Sequence, residues 1–179
     1  MQHFYQNLEG WFDFDDIYSR MVNGCKEPAH FVEVGSWKGK STAYMAVEIA
    51  NSHKDIRFDC IDTWNGSEEN FQDMDVINRS LYQRFLTNLK PADGYYIPRR
   101  MSSLLAAPSY KDKSLDFVFI DAAHDYENVK ADIEAWLPKV KIGGYIGGHD
   151  YPYPDVMRAV DEKFTNAFYS RQSWLIQVI

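Results

Sequence analysis

Asp121, His124, His149 and Asp150 are the residues of this chain whose types and spacing best suit chemistry. Asp121 and His124 close the run Ile-Asp-Ala-Ala-His, and His149 and Asp150 close Gly-Gly-His-Asp. Each run follows an apolar stretch, so each pair falls where a strand ends. Glu33 and Asp62 lie at the ends of two further apolar runs. In an open α/β sheet, ligands gather beyond the carboxyl ends of the strands. Four acids and two histidines on one such edge exceed what stability asks for, because buried like charges need partners. A divalent cation would satisfy several at once, and a nearby histidine can carry a proton.

A mostly parallel sheet would bring these side chains together. Residues 31–34 read as a buried strand that breaks at Gly35 and Gly39, and a helix follows over 40–49. A second strand over 56–61 ends at Asp62, well placed to accept hydrogen bonds from ribose hydroxyls or to serve as a turn or cap residue. A short strand over 95–98 precedes Ser102, Ser103 and a helical fragment, while Arg99 and Arg100 read as solvated surface. The run 115–121 is apolar nearly throughout, as a strand buried on both faces should be. A helix over 127–136 connects it to the fifth strand, 143–150, and such a crossover makes the two strands neighbours.

The expected fold is an α/β, Rossmann-like three-layer sandwich with sheet order 3-2-1-4-5. A helix over 155–168 and one last strand over 174–179 leave the sheet truncated relative to seven strands. That open edge makes a homodimer plausible, with Tyr169 and Trp174 either in the contact or simply in the core. The chain reads as one domain over 1–179, with a leading helical segment (1–29) and a core (30–179). In the leading segment Asp13 is the expected cap of a helix carrying Phe14, Ile17, Tyr18, Met21 and Val22 on one face. The loop 63–75 is polar, with Trp64 and Phe71 among Glu68, Glu69, Asp73 and Asp75; its length suggests a lid or substrate loop. Ile77, Leu81, Phe85 and Leu89 mark the helix after it.

The chain has 179 residues, 45% apolar and 25% charged, in the range of globular proteins. Nineteen basic and 26 acidic side chains give a net charge of −7, which argues against a nucleic-acid partner. Cys25 and Cys60 are the only cysteines, too few for a disulfide framework or a four-cysteine zinc site. With no leader pattern and no long apolar run, the expected location is cytoplasmic, with no membrane partner.

The glycine turn admits three readings. A dinucleotide fingerprint needs a glycine where Trp37 stands. Gly35 to Ser41 spells G-x-x-x-G-K-S, one residue short of a phosphate-binding P-loop, and the 115–121 strand could end in that family's magnesium aspartate. The third reading turns on Glu33, whose carboxylate beside the turn would repel a triphosphate and suits a ligand bearing an ammonium group.

E-x-G-x-x-x-G-x-S resembles the first motif of class I S-adenosylmethionine-dependent methyltransferases. The resemblance implies that Glu33, Gly35, Ser36, Trp37, Gly39 and Ser41 hold the methionine half of S-adenosylmethionine. It sets Asp62 on the ribose, Ser103 at the adenine and Asp121 beside the cofactor. I-D-A-A-H-D-Y with G-G-H-D-Y downstream is similar to methyltransferase family 24, related to catechol-type and macrolide-sugar cation-dependent O-methyltransferases. The likeness runs from about Phe31 to about Phe164. It implies a divalent cation on Asp121, His149 and Asp150, with His124 as the base. His149 stands where those relatives carry a carboxylate, and imidazole favours metals softer than magnesium, so magnesium, manganese, iron, zinc and no metal at all stay open. The implied function is methylation of a hydroxyl on a small-molecule acceptor: a sugar, a phenol or a polyketide. A cofactor-binding protein without transferase activity and a P-loop-like phosphotransferase are the alternatives.

Overall fold

The computed structural model describes residues 1–67 and 70–179, so Glu68 and Glu69 of the 63–75 loop lie outside the described residues. Seven strands form one sheet in the order β3-β2-β1-β4-β5-β7-β6. They are β1 (Ala29–Val34), β2 (Ile56–Asp62), β3 (Ile97–Arg100), β4 (Leu115–Ile120), β5 (Val140–Gly148), β6 (Phe168–Ser170) and β7 (Ser173–Gln177). The first five pair in parallel, and β7 pairs antiparallel with both β5 and β6. The expected doubly wound order 3-2-1-4-5 is present.

Strand alternation divides the core. Side chains two apart share a sheet face. Phe31, Phe117 and Phe119 pack on one side against α1 (Asp15–Gly24), α2 (Lys40–Ser52) and α4 (Leu81–Leu89), through Tyr18, Met45 and Phe85. Val32, Val34, Val118 and Ile120 pack on the other with α6 (Tyr126–Trp136) and α7 (Pro154–Lys163), through Ile133, Trp136 and Val160. Both faces are therefore covered, as the apolar runs require. Two short helices, α3 (Met74–Ile77) and α5 (Ser103–Ala106), border the strand tips.

Five expectations need correction. The sheet is not truncated: α7 ends at Lys163, which frees Phe168–Ser170 to form a hairpin with β7 and completes seven strands. The 77–89 helix is broken by Arg79, at φ 56°, into α3 and α4. The third strand begins at Ile97 rather than Tyr95, and Pro98 is tolerated there because β3 is an edge strand. Arg99 on it reaches within 3.8 Å of the buried Asp59 and is not simply solvated. The leading helix starts at Asp15, capped by no side chain, because the Asp13 carboxylate is bonded elsewhere. No helix among the described residues is long and apolar enough to cross a membrane.

Candidate active site

A cleft of about 820 Å³ opens over the carboxyl ends of β1, β2, β4 and β5. The glycine turn between β1 and α2 forms one wall. A β-carbon at Gly35 would meet the Asp121 carbonyl oxygen at 1.9 Å, so only glycine lets β1 and β4 close at this point. Gly35 also holds φ at 90° and Gly39 at 87°, the left-handed region that glycine enters at little cost. Gly39 packs outward on Leu89 and Phe85 and does not line the cleft.

Glu33 lies beneath the turn and does not line the cleft. The carboxylate is 1% exposed and accepts from the hydroxyls of Tyr18, Ser36, Ser41 and Thr42. Burial pushes its pKa up against those four donors. The charge beside the glycines therefore ties β1 to α1 and α2 rather than facing a ligand's ammonium group. Ser36, Trp37 and Ser41, expected with it, do line the cleft.

Asp62 also lines the cleft, and it organises the turn as well. Its carboxylate accepts from the backbone amides of Ser36 (3.0 Å), Trp37 (2.8 Å) and Trp64 (2.7 Å). A carboxylate offers about four acceptor positions, so an unused one is left for a ribose hydroxyl. Beside it, both described ends of the 63–75 loop are fastened to the glycine turn. Buried Lys38 pairs with Asp73 and Glu9 at 2.7 Å each and with Asp75 at 3.5 Å, and Trp64 Nε1 donates to the Trp37 carbonyl.

The two strand tips meet as expected. His124 Nε2 lies 2.8 Å from Asp150 Oδ2, and His149 Nδ1 lies 3.2 Å from the same oxygen and 3.7 Å from Asp121 Oδ1. Asp121 is pushed up to about 7 by burial and by the charges of Asp150 and Glu33, against the pull of His149 and His124. Burial also works against the charged forms of Asp150 and His149, and their mutual pairing outweighs it. Asp150 is held well below the usual carboxylate range, and His149 rises to about 9.

Ligand atoms of Asp121, His124 and Asp150 all fall within 4.8 Å of one another, a fit for one divalent cation. Two carboxylate oxygens and one imidazole nitrogen suit borderline or harder divalent metals. His149, expected as a ligand, lies outside that group but beside it. Its Nε2 lies 2.9 Å from Asp13 Oδ1, while Nδ1 faces Asp150 Oδ2 at 3.2 Å. His124, expected as the base, takes the third place in the cluster.

Sequence reasoning missed Asp13, whose partner His149 lies 136 positions away, and the leading residues Glu9 and Trp11 at the cleft mouth. It also missed Asp132, whose signal was present: an acid between Val129, Ile133 and Trp136 on the buried face of α6. Ser103 is where it was expected, lining the cleft beside Asp132.

A family model described as a methyltransferase domain matches residues 32–151. The chain belongs to that methyltransferase family. Among curated proteins, the methyltransferase is 26% identical over 150 residues to the uncharacterized protein y4gI of Sinorhizobium fredii. The match covers 83% of this chain and only 16% of that relative, so the chain spans about a sixth of its length. The fold is shared with solved structures of low identity. The O-methyltransferase NovP superposes with a TM-score of 0.68 at 17% identity, over 92% of this chain and 79% of NovP. CalS11, a TDP-rhamnose 3'-O-methyltransferase, gives 0.60 at 13%, over 92% and 76%. An O-methyltransferase of Thermotoga maritima gives 0.59 at 11%, over 93% and 65%.

Proposed function

We propose that this methyltransferase moves a methyl group from S-adenosylmethionine to a hydroxyl of a small-molecule acceptor. The observation that carries the reading is the convergence of Asp121, His124 and Asp150 on the cleft floor beside the glycine turn. Methyl transfer to oxygen needs a deprotonated hydroxyl held in line with the donor, and fixing that geometry supplies much of the acceleration. The glycine turn and Asp62 hold the donor; the strand tips receive the acceptor oxygen. The cleft volume suits two ligands side by side, and NovP and CalS11, both O-methyltransferases, share the fold.

Asp121, His124 and Asp150 would hold the divalent cation that the family resemblance implies. When bound, such a cation lowers the pKa of a hydroxyl and orients it. His149, locked between Asp13 and Asp150, fixes the Asp150 carboxylate and offsets its charge. A second reading is favoured by the 2.8 Å His124–Asp150 pair: without a cation, His124 oriented by Asp150 takes the hydroxyl proton itself.

The test has two stages. S-adenosylhomocysteine should raise the melting temperature and ATP with magnesium should not; the reverse would replace this reading with a phosphotransferase. Methyl-labelled S-adenosylmethionine is then offered with sugar, phenol and polyketide acceptors, with and without EDTA. Label that enters none of them while the cofactor still binds would leave a binding protein.

A further inference from the structure

Two consecutive residues of the leading segment hold the His149 ring. Asp13 Oδ1 lies 2.9 Å from Nε2 at its edge, and the buried Phe14 ring packs against its face with centroids 5.0 Å apart. The ring's other nitrogen, Nδ1, faces Asp150 Oδ2 at 3.2 Å and Asp121 Oδ1 at 3.7 Å. Asp13 is itself aligned from behind by the turn between β6 and β7. Its Oδ2 accepts from Gln172 Nε2 at 3.4 Å, and its backbone carbonyl accepts from Arg171. Ser170 Oγ donates to Asp16 Oδ2 at 2.7 Å and pins the first turn of α1 to the same hairpin. An acid at this end of a helix ordinarily serves the free amides of the first turn. Here α1 begins with no side-chain cap, and the Asp13 carboxylate points to His149 instead.

Resting on the cation reading above, we infer that Asp13 is a positioning residue: it orients His149 and, through that ring, the Asp150 carboxylate for a divalent cation. A carboxylate can only accept, so Asp13 selects the ring form that carries a proton on Nε2 and fixes which edge of the imidazole meets the strand tips. The partner of a histidine's far nitrogen sets the ring's direction, and groups around a metal site depend on such partners nearly as much as on the ligands. Asp13 does not line the cleft and touches no ligand; its effect passes through His149 alone. The leading segment thereby completes the strand-tip site from 136 positions away.

Calorimetric titration of the EDTA-stripped full chain with manganese tests this, with S-adenosylhomocysteine titrated in parallel. Asp13→Ala should weaken manganese about 10–100-fold, the usual cost of losing an orienting partner. It should leave S-adenosylhomocysteine affinity within about threefold of the wild type. In a His149→Gln background the same substitution should change manganese affinity by less than about threefold, because Asp13 then has no imidazole to orient. A merely structural role predicts a lowered melting temperature with manganese affinity unmoved. That result, or an equal loss of manganese affinity in both backgrounds, overturns the inference and leaves the cation reading standing. A wild type that takes up no manganese overturns both. Should Asp13→Ala not fold, Asp13→Asn decides. Its amide oxygen keeps an acceptor at the same reach, so manganese affinity should stay within about threefold of the wild type, and a loss of about tenfold or more overturns the inference.

Discussion

Asp59, in the middle of β2, is fully buried, yet its carboxyl is held down at about 2. Asp121, at the tip of β4, keeps 22% of its side chain exposed, yet it is pushed up to about 7. Desolvation raises both, so the difference lies in the donors that face them. Asp59 accepts from His30, Arg57 and Tyr110, with Arg99 close by. Asp121 is drawn down by two histidines, but burial and the charges of Asp150 and Glu33 push it up further. The Asp59 carboxylate finds its donors within the chain. On the reading proposed above, the strand tips are completed by a bound ligand.

The largest expected effect lies at the tips. Asp150→Ala or His124→Ala should lower methyl transfer by roughly 10²–10⁴ while S-adenosylhomocysteine still binds, measured by label transfer and calorimetry. His124→Ala separates the two proton-transfer readings. Loss of bound metal marks His124 as a ligand, whereas retained metal with lost transfer marks it as the base. At the other pole, Asp59→Ala should cost about 3–5 kcal/mol in urea unfolding, because it strands the buried cationic partners, and should leave cofactor affinity unchanged.

Asp62 stands between the two regions. It holds three backbone amides and lines the cleft, so Asp62→Ala should lose about 1.5–3 kcal/mol of stability and cofactor affinity together. Loss of stability alone, with affinity intact, would make it a turn residue only.

The smallest effect concerns Asp132 and pH. Its folded value, about 6, lies above that of the unfolded chain, so the proton favours the native state. That stability is full below the unfolded pKa and is lost as the pH rises through about 6. Asp132→Asn should therefore stabilise the ligand-free protein by about 1–3 kcal/mol at pH 8 and by almost nothing at pH 4. Asp59 runs the other way. Its contribution is present above the unfolded pKa and is lost as the pH falls through about 2.

Much of this was legible in the chain, and the misses have physical reasons. Apolar runs located β1, β2, β4 and β5, and the acids at their ends located the cleft. Glu33 lies deeper than E-x-G taken as a linear motif suggests. Strand alternation puts Glu33 on the Phe31 face, toward the hydroxyls of α2, and away from Val32 and Val34. The C-terminal hairpin escaped because strands of three and five residues carry too little periodicity to separate. Asp13 looked like a cap because local rules reward an acid before a helix, while its partner His149 is visible only in the folded chain.

The central claim is that the strand tips hold a surplus of charge meant for a ligand, and a manganese titration of thermal stability tests it most directly. The account predicts a melting temperature that climbs with manganese in the EDTA-stripped wild type, a response lost in Asp150→Asn and preserved in Asp59→Asn. A wild type indifferent to manganese, or an Asp150→Asn protein that responds as the wild type does, would contradict it.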